Sequence, residues 1–158
     1  MSQPHHIWLQ DCATGRSVEA LLYERIDPVY AERVDDAWLI HLATAEAQAK
    51  ARGEKFEAPE HAHWRWHEKV LRSSHLLSCP TLAVECEGQP QGLMLLKTDG
   101  HFARHSEQSE KPLVFITYLS TAPWNMPSVA PRPRFRGVGT NLLRAAVEVS
   151  LDLEFKGR

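Results

Sequence analysis

The segment "APWNMPSVAPRPRFRG", residues 122–137, constrains this chain more than any other. Its four prolines, Pro123, Pro127, Pro131 and Pro133, remove backbone donors and fix φ, so it is neither a helix nor a regular strand. Both of its flanks are regular. Before it, "PLVFITYLST" (112–121) is β-branched and aromatic and reads as a buried strand. After it, Val138, Leu142, Ala146, Val149 and Leu153 recur in steps of three and four, with Asn141, Arg144, Glu148 and Asp152 opposite. That spacing predicts an amphipathic helix over 138–155. The chain therefore closes as strand, irregular loop and helix, with Arg132, Arg134, Arg136 and Arg144 gathered at the junction.

Such a junction has a definite chemistry. A helix N-terminus carries unpaired N–H groups and the positive end of the helix dipole. Gly137 and Gly139 let a ligand approach the backbone, and the arginines add forked cationic donors. Together they predict a cradle for phosphate or pyrophosphate. Two familiar phosphate loops are excluded. No Gly-Lys-Ser or Gly-Lys-Thr occurs, and Leu142 stands where a dinucleotide fingerprint needs its third glycine.

The rest of the chain fits around this junction. "HIWLQDCA" (6–13) reads as a strand ended by Thr14-Gly15, and "SVEALLYERI" (17–26) as a helix with Ser17 as N-cap. A long Ala-rich helix is predicted over 29–53, between Asp27-Pro28 and Gly53, and another over 59–77, opened by Pro59 and closed by Cys79-Pro80. The texture then turns to β: "TLAVECEGQPQGLMLLKT" (81–98) is two runs joined by Glu87-Gly88-Gln89-Pro90, a hairpin signal, and 99–111 is a polar loop. With 158 residues, no repeat and no linker, we expect a single domain over 1–158, a mixed α+β fold with a mostly antiparallel sheet. Its parts are an N-terminal strand and helices (1–80), a β region (81–121), the loop and cradle (122–137) and the closing helix (138–155).

Charge and cysteine usage narrow the class of function. The net charge of −2 gives no global pull toward nucleic acid or a membrane surface. Cys12, Cys79 and Cys86 are odd in number and lack CxxC spacing, which argues for reduced thiols and a cytoplasmic protein, with Cys79 and Cys86 as buried small hydrophobes. No run is long and apolar enough for a membrane span, and the N-terminus has no signal-peptide core.

Arg134, Gly137 and Gly139 match the pattern Gln/Arg-x-x-Gly-x-Gly/Ala, and "GVGTNLLRAAVEVS" follows as a helix. In this the chain resembles the GNAT acyltransferase superfamily. The resemblance implies a GNAT-like fold and an acetyl-CoA-dependent N-acetyltransferase acting on a primary amine, with no metal. It implies that Arg134, Phe135, Arg136, Gly137, Val138, Gly139, Thr140 and Asn141 bind the pyrophosphate. Leu119, Ser120 and Thr121 would contact the pantetheine arm, although "SVAP" (128–131) competes with "LSTAP" (119–123) for that role. The family pattern continues with further strands after this helix, whereas the sequence reaches Lys156-Gly157-Arg158 there, so a C-terminally truncated version is expected. The position of a general-acid tyrosine also lies beyond it. An open strand edge would then favour a homodimer or a partner chain completing the sheet. Two rival readings stay open: a non-catalytic GNAT module that binds CoA or a protein partner, and a regulatory phosphate-binding domain.

Candidates for acid–base work are Tyr118 and Glu85, with Glu87 and His67 beside them. A solvated turn accounts for the glutamates, and a core aromatic for Tyr118. In "HAHWRWH", His63 and His67 stand four apart, helical spacing for a metal pair, with His61 and Glu68 near; no further ligand set accompanies them. Of Trp64 and Trp66 one is expected in the core and the other beside an acceptor pocket. Ser120 lacks the Gly-x-Ser-x-Gly setting of a hydrolase nucleophile.

Overall fold

The computed structural model describes residues 3–158. Its strands are β1 (His5–Asp11), β2 (Ser17–Tyr23), β3 (Thr81–Cys86), β4 (Gln89–Lys97), β5 (Phe115–Thr121) and β6 (Phe135–Arg136). They form one sheet in the order β5-β4-β3-β2-β1-β6, every pair antiparallel. Helices α1 (Pro28–Ala51) and α2 (Trp66–Ser73) cover one face and α3 (Val138–Asp152) the other. The architecture is thus the mixed α+β fold with an antiparallel sheet that the sequence predicts.

Strand alternation divides the core in two. Leu82, Val84, Met94 and Leu96 point toward α3 and pack with Leu9, Ala20, Leu22, Val138 and Leu142. Ala83, Leu93 and Leu95 point the other way, onto Val34, Trp38, Trp66 and Val70. Both faces of β3 and β4 are covered, which is why they read as continuous apolar runs.

Several expectations are corrected. Residues 17–26 are not a helix capped by Ser17; they hold β2. Val18, Ala20 and Leu22 alternate onto the α3 core, and pairing with β1 and β3 overrides the helical pattern. The turn between β1 and β2 is fixed by Asp11, whose carboxylate accepts from the Ala13 amide and the Thr14 hydroxyl, each at 2.8 Å. Those bonds, the amide first, lower the Asp11 pKa.

The helix expected over 59–77 is broken. A 3-10 turn covers Glu60–His63, Trp64 and Arg65 are extended, and α2 starts only at Trp66. Asp35 of α1 dictates that start: its two carboxylate oxygens accept from the amides of Trp66 (2.8 Å) and His67 (2.9 Å). His63 and His67 therefore do not share a helical face. Among the described residues no group of three or more His, Cys, Asp or Glu side chains could hold a metal ion. Cys79 is only half-buried, while Cys86 is buried and its thiol pKa is raised by that burial.

The proline-rich segment is not wholly irregular: it holds a 3-10 turn at Pro123–Asn125 and β6, whose pairing with β1 imposes a strand on Phe135–Arg136. The strand expected as buried over 112–121 is β5, which starts at Phe115 and is half-exposed because it lies at the edge of the sheet. At α1 the local signals hold. Asp27 caps α1 by accepting from the Tyr30 amide at 2.8 Å, Pro28 occupies the first turn, and Gly53 follows the C-cap at φ +70°. No helix among the described residues is long and apolar enough to cross a membrane.

Candidate functional site

The start of α3 is left open. Gly137 is its N-cap, held at φ +94°, a left-handed conformation that glycine adopts without the steric cost a side chain would add. It has no side chain to cap the helix, and among the described residues no other side chain accepts a hydrogen bond from the amides of Val138, Gly139 or Thr140. The amides of Val138, Gly139 and Thr140 therefore lack intrahelical acceptors and carry the positive end of a 15-residue helix. A Cβ built on Gly139 meets nothing within 4 Å, so the space beside the first turn is open at that position. Arg136 and Thr140 are exposed beside it, while Phe135 and Val138 are buried as core anchors.

Two of the expected ligand contacts are otherwise engaged. Arg134 donates to the Glu87 carboxylate in the β3–β4 turn. Asn141 donates its side-chain amide to the carbonyls of Gly137 (2.9 Å) and Trp8 (3.1 Å), fastening α3 to β1. Arg136, Arg144 and Thr140 instead line a groove of about 680 Å³ between α3 and β1, with His5, His6 and Trp8 on its other side.

Gln91, which sequence reasoning missed, organises the loop that leads here. Fully buried, it accepts at Oε1 from Trp124 Nε1 (2.8 Å) and Asn125 Nδ2 (3.0 Å), and its own amide donates to the carbonyls of Gln89 (3.1 Å) and Cys86 (3.4 Å). Asn125 Oδ1 in turn accepts from the Phe135 amide at 2.9 Å. A buried glutamine in a strand is the only sequence signal for this, and it names no partners.

Gly92 is where strand and helix meet. It pairs with Thr121 of β5, and a Cβ there would lie 2.5 Å from Val138 Cγ1 and 3.2 Å from the Ser120 carbonyl. The end of β5 and the first turn of α3 are thereby brought against the same point of β4. Residues 119–121 form that strand end; 128–131 lie in turn and bend. The Ser120 hydroxyl is buried and accepts from Trp66 Nε1 at 3.0 Å.

The acid–base candidates do not converge. Tyr118 pairs with Leu95 and Glu85 with Pro90, five residues apart along β4, or roughly 17 Å at strand rise. Tyr118 packs edge-on against Trp64. Glu85 lies beside Tyr30, whose hydroxyl is buried without a well-formed hydrogen bond; burial first, then the Glu85 charge, pushes that phenol far above its ordinary pKa. His67 Nδ1 is 3.0 Å from the Pro28 carbonyl. Trp66 is core and Trp64 half-buried.

No protein-family model and no curated protein matches the chain. Among solved structures it is similar to a predicted acetyltransferase from Clostridium acetobutylicum, determined with acetyl-CoA. The two share 10% identity over 85% of this chain and 75% of that one, with a TM-score of 0.44.

Proposed function

We propose that this chain is a GNAT-like N-acetyltransferase that binds acetyl-CoA at the start of α3 and acetylates a primary amine. One observation carries the reading: a long helix begins without a side-chain cap, on a left-handed glycine, with an exposed Arg136 before it and open space beside Gly139 in its first turn. Those amides and Arg136 would hold the pyrophosphate. The bound cofactor supplies an activated thioester. The backbone at the end of β5, Leu119 to Thr121, would orient the pantetheine arm and offer amide donors to the oxyanion formed as the amine attacks. Collapse would break the C–S bond and release the CoA thiolate, while the attacking nitrogen gives up its proton to water and an amide is left.

The separation of Glu85 from Tyr118 favours a second reading, a module of the same fold that binds CoA without turnover. Release of free thiol across an amine panel separates the two.

Binding itself is tested at Gly139. Gly139→Asp adds a carboxylate at the helix start, which should stabilise α3 by about 0.3–1 kcal/mol through the dipole while repelling phosphate. The wild-type chain should gain roughly 2.7 kcal/mol in a thermal-shift titration at a hundredfold excess of CoA over Kd. Gly139→Asp should melt no lower and show no gain. Equal stabilisation of both proteins would remove the start of α3 from the site.

A further inference from the structure

A second groove, of about 550 Å³, lies between α2 and the β4–β5 pair, on the opposite face of the sheet from α3. Its floor is aromatic: the rings of Trp64 and Tyr118 meet edge to face with centroids 5.1 Å apart. Lys69 of α2 lies over both, its Nζ 3.8 Å from the Tyr118 centroid and 5.0 Å from that of Trp64. Cation–π attraction thus holds a flexible side chain in one place. Among the described residues the Lys69 ammonium forms no salt bridge and no hydrogen bond, so its donors are unused.

The other charges around the groove point one way. Arg72 is 3.7 Å from Glu68, a single carboxylate one turn away on the same helix. Arg65 donates to the carbonyls of Trp64 (3.1 Å) and Ala62 (3.5 Å), which leaves its charge uncompensated. Three cations and one anion line the cleft, with His63 at the rim. A second cation entering over the aromatic rings would meet this excess, whereas an anion would relieve it.

We infer that this groove binds a small organic carboxylate with an apolar body: the carboxylate on Lys69, the body against Trp64 and Tyr118. Because Tyr118 directly precedes the strand end 119–121, the inference deepens the acyltransferase reading. If that reading holds, the acceptor is an amine that also carries a carboxylate. The binding step does not require it.

Calorimetric titration of the full chain with phenylacetate, phenethylammonium and phenyl phosphate, without CoA, tests this. Phenylacetate should bind, and Lys69→Met should weaken it about tenfold, the loss of one charge-assisted hydrogen bond. Lys69→Arg, which keeps a cation over the rings, should restore most of the affinity and keep the wild-type melting curve. Phenethylammonium binding as tightly as phenylacetate, or an unchanged affinity in Lys69→Met, overturns the inference. Phenyl phosphate binding more tightly than phenylacetate overturns the assignment to a carboxylate. Gly139→Asp is the control that separates the two sites. It should abolish the CoA response and leave phenylacetate binding intact, so either site can fail alone.

Discussion

Helices α2 and α3 begin in opposite ways. The amides that open α2 are sealed by Asp35, reaching across from α1 with both carboxylate oxygens. Those that open α3 follow Gly137 and are sealed by no side chain among the described residues. The eight-residue helix has the stronger cap and the 15-residue helix has none. Capping contributes most where a helix is too short to persist alone. A long helix packed on a sheet can begin uncapped, and its free amides then remain available to a ligand.

The largest expected effect breaks the capped end. Asp35→Ala should cost about 3 kcal/mol in urea unfolding, because two charge-assisted bonds vanish and two amides near the core lose their partners. Circular dichroism should show a loss of helix no larger than the eight residues of α2. A cost under about 1 kcal/mol would mean that packing of Trp66, and not the cap, places that helix.

The next effect breaks the seating of the open end. Gly92→Ala puts a methyl group 2.5 Å from Val138 Cγ1 and close to the Ser120 carbonyl. Displacing the first turn of α3 should cost about 1–3 kcal/mol. Val138→Ala in the same chain should recover part of it, and a strictly additive double mutant would show that helix and strand do not press on each other there.

Smaller is Gly137→Ala. Space is ample, with the nearest atoms at 3.7 and 3.8 Å, but φ +94° penalises any Cβ. About 1–2 kcal/mol should be lost, through backbone strain alone. Gly139 and Gly137, two residues apart, should therefore behave differently: one substitution changes binding, the other the stability of the helix start.

This contrast explains which parts of the molecule were legible in the sequence. The glycines and the helix after them are one continuous stretch, "GVGTNLLRAAVEVS", so the junction of loop and helix could be read directly. The first end of α1 and the β3–β4 hairpin were legible for the same reason, since Asp27-Pro28 and Glu87-Gly88 act within a few residues of themselves. The two-residue strand Phe135–Arg136 was not legible, because its partner is β1, near the other end of the chain. The break at Trp64 and Arg65 was not, because the residue that causes it is Asp35, 31 positions before Trp66. Nor could the sequence reveal that Glu87 engages Arg134, 47 positions away, or that Asn141 spans 133 to reach Trp8. Residues 17–26 failed differently: their apolar spacing suits both a helix and a strand, and only the neighbours β1 and β3 decide.

The smallest effect concerns a second buried polar group on α1. Asp35 is matched by two donors, whereas the Tyr30 hydroxyl, also buried, has no well-formed partner. Its pKa is raised by burial and then by the charge of Glu85, so the folded chain holds the phenol proton more tightly than the unfolded chain does. A raised folded pKa gives stability that is complete below the unfolded value, about 10 for tyrosine, and is lost as pH climbs beyond it. Tyr30→Phe should therefore flatten the decline of stability above about pH 10. At neutral pH it should leave stability unchanged or raise it by up to about 1 kcal/mol, since an unsatisfied hydroxyl leaves the core. Urea unfolding at pH 7 and pH 10.5, an interval spanning the unfolded tyrosine pKa of about 10, measures both arms. A loss at neutral pH would show that Glu85 accepts from this hydroxyl in solution, and the two polar groups of α1 would then be alike: each matched, neither stored as strain.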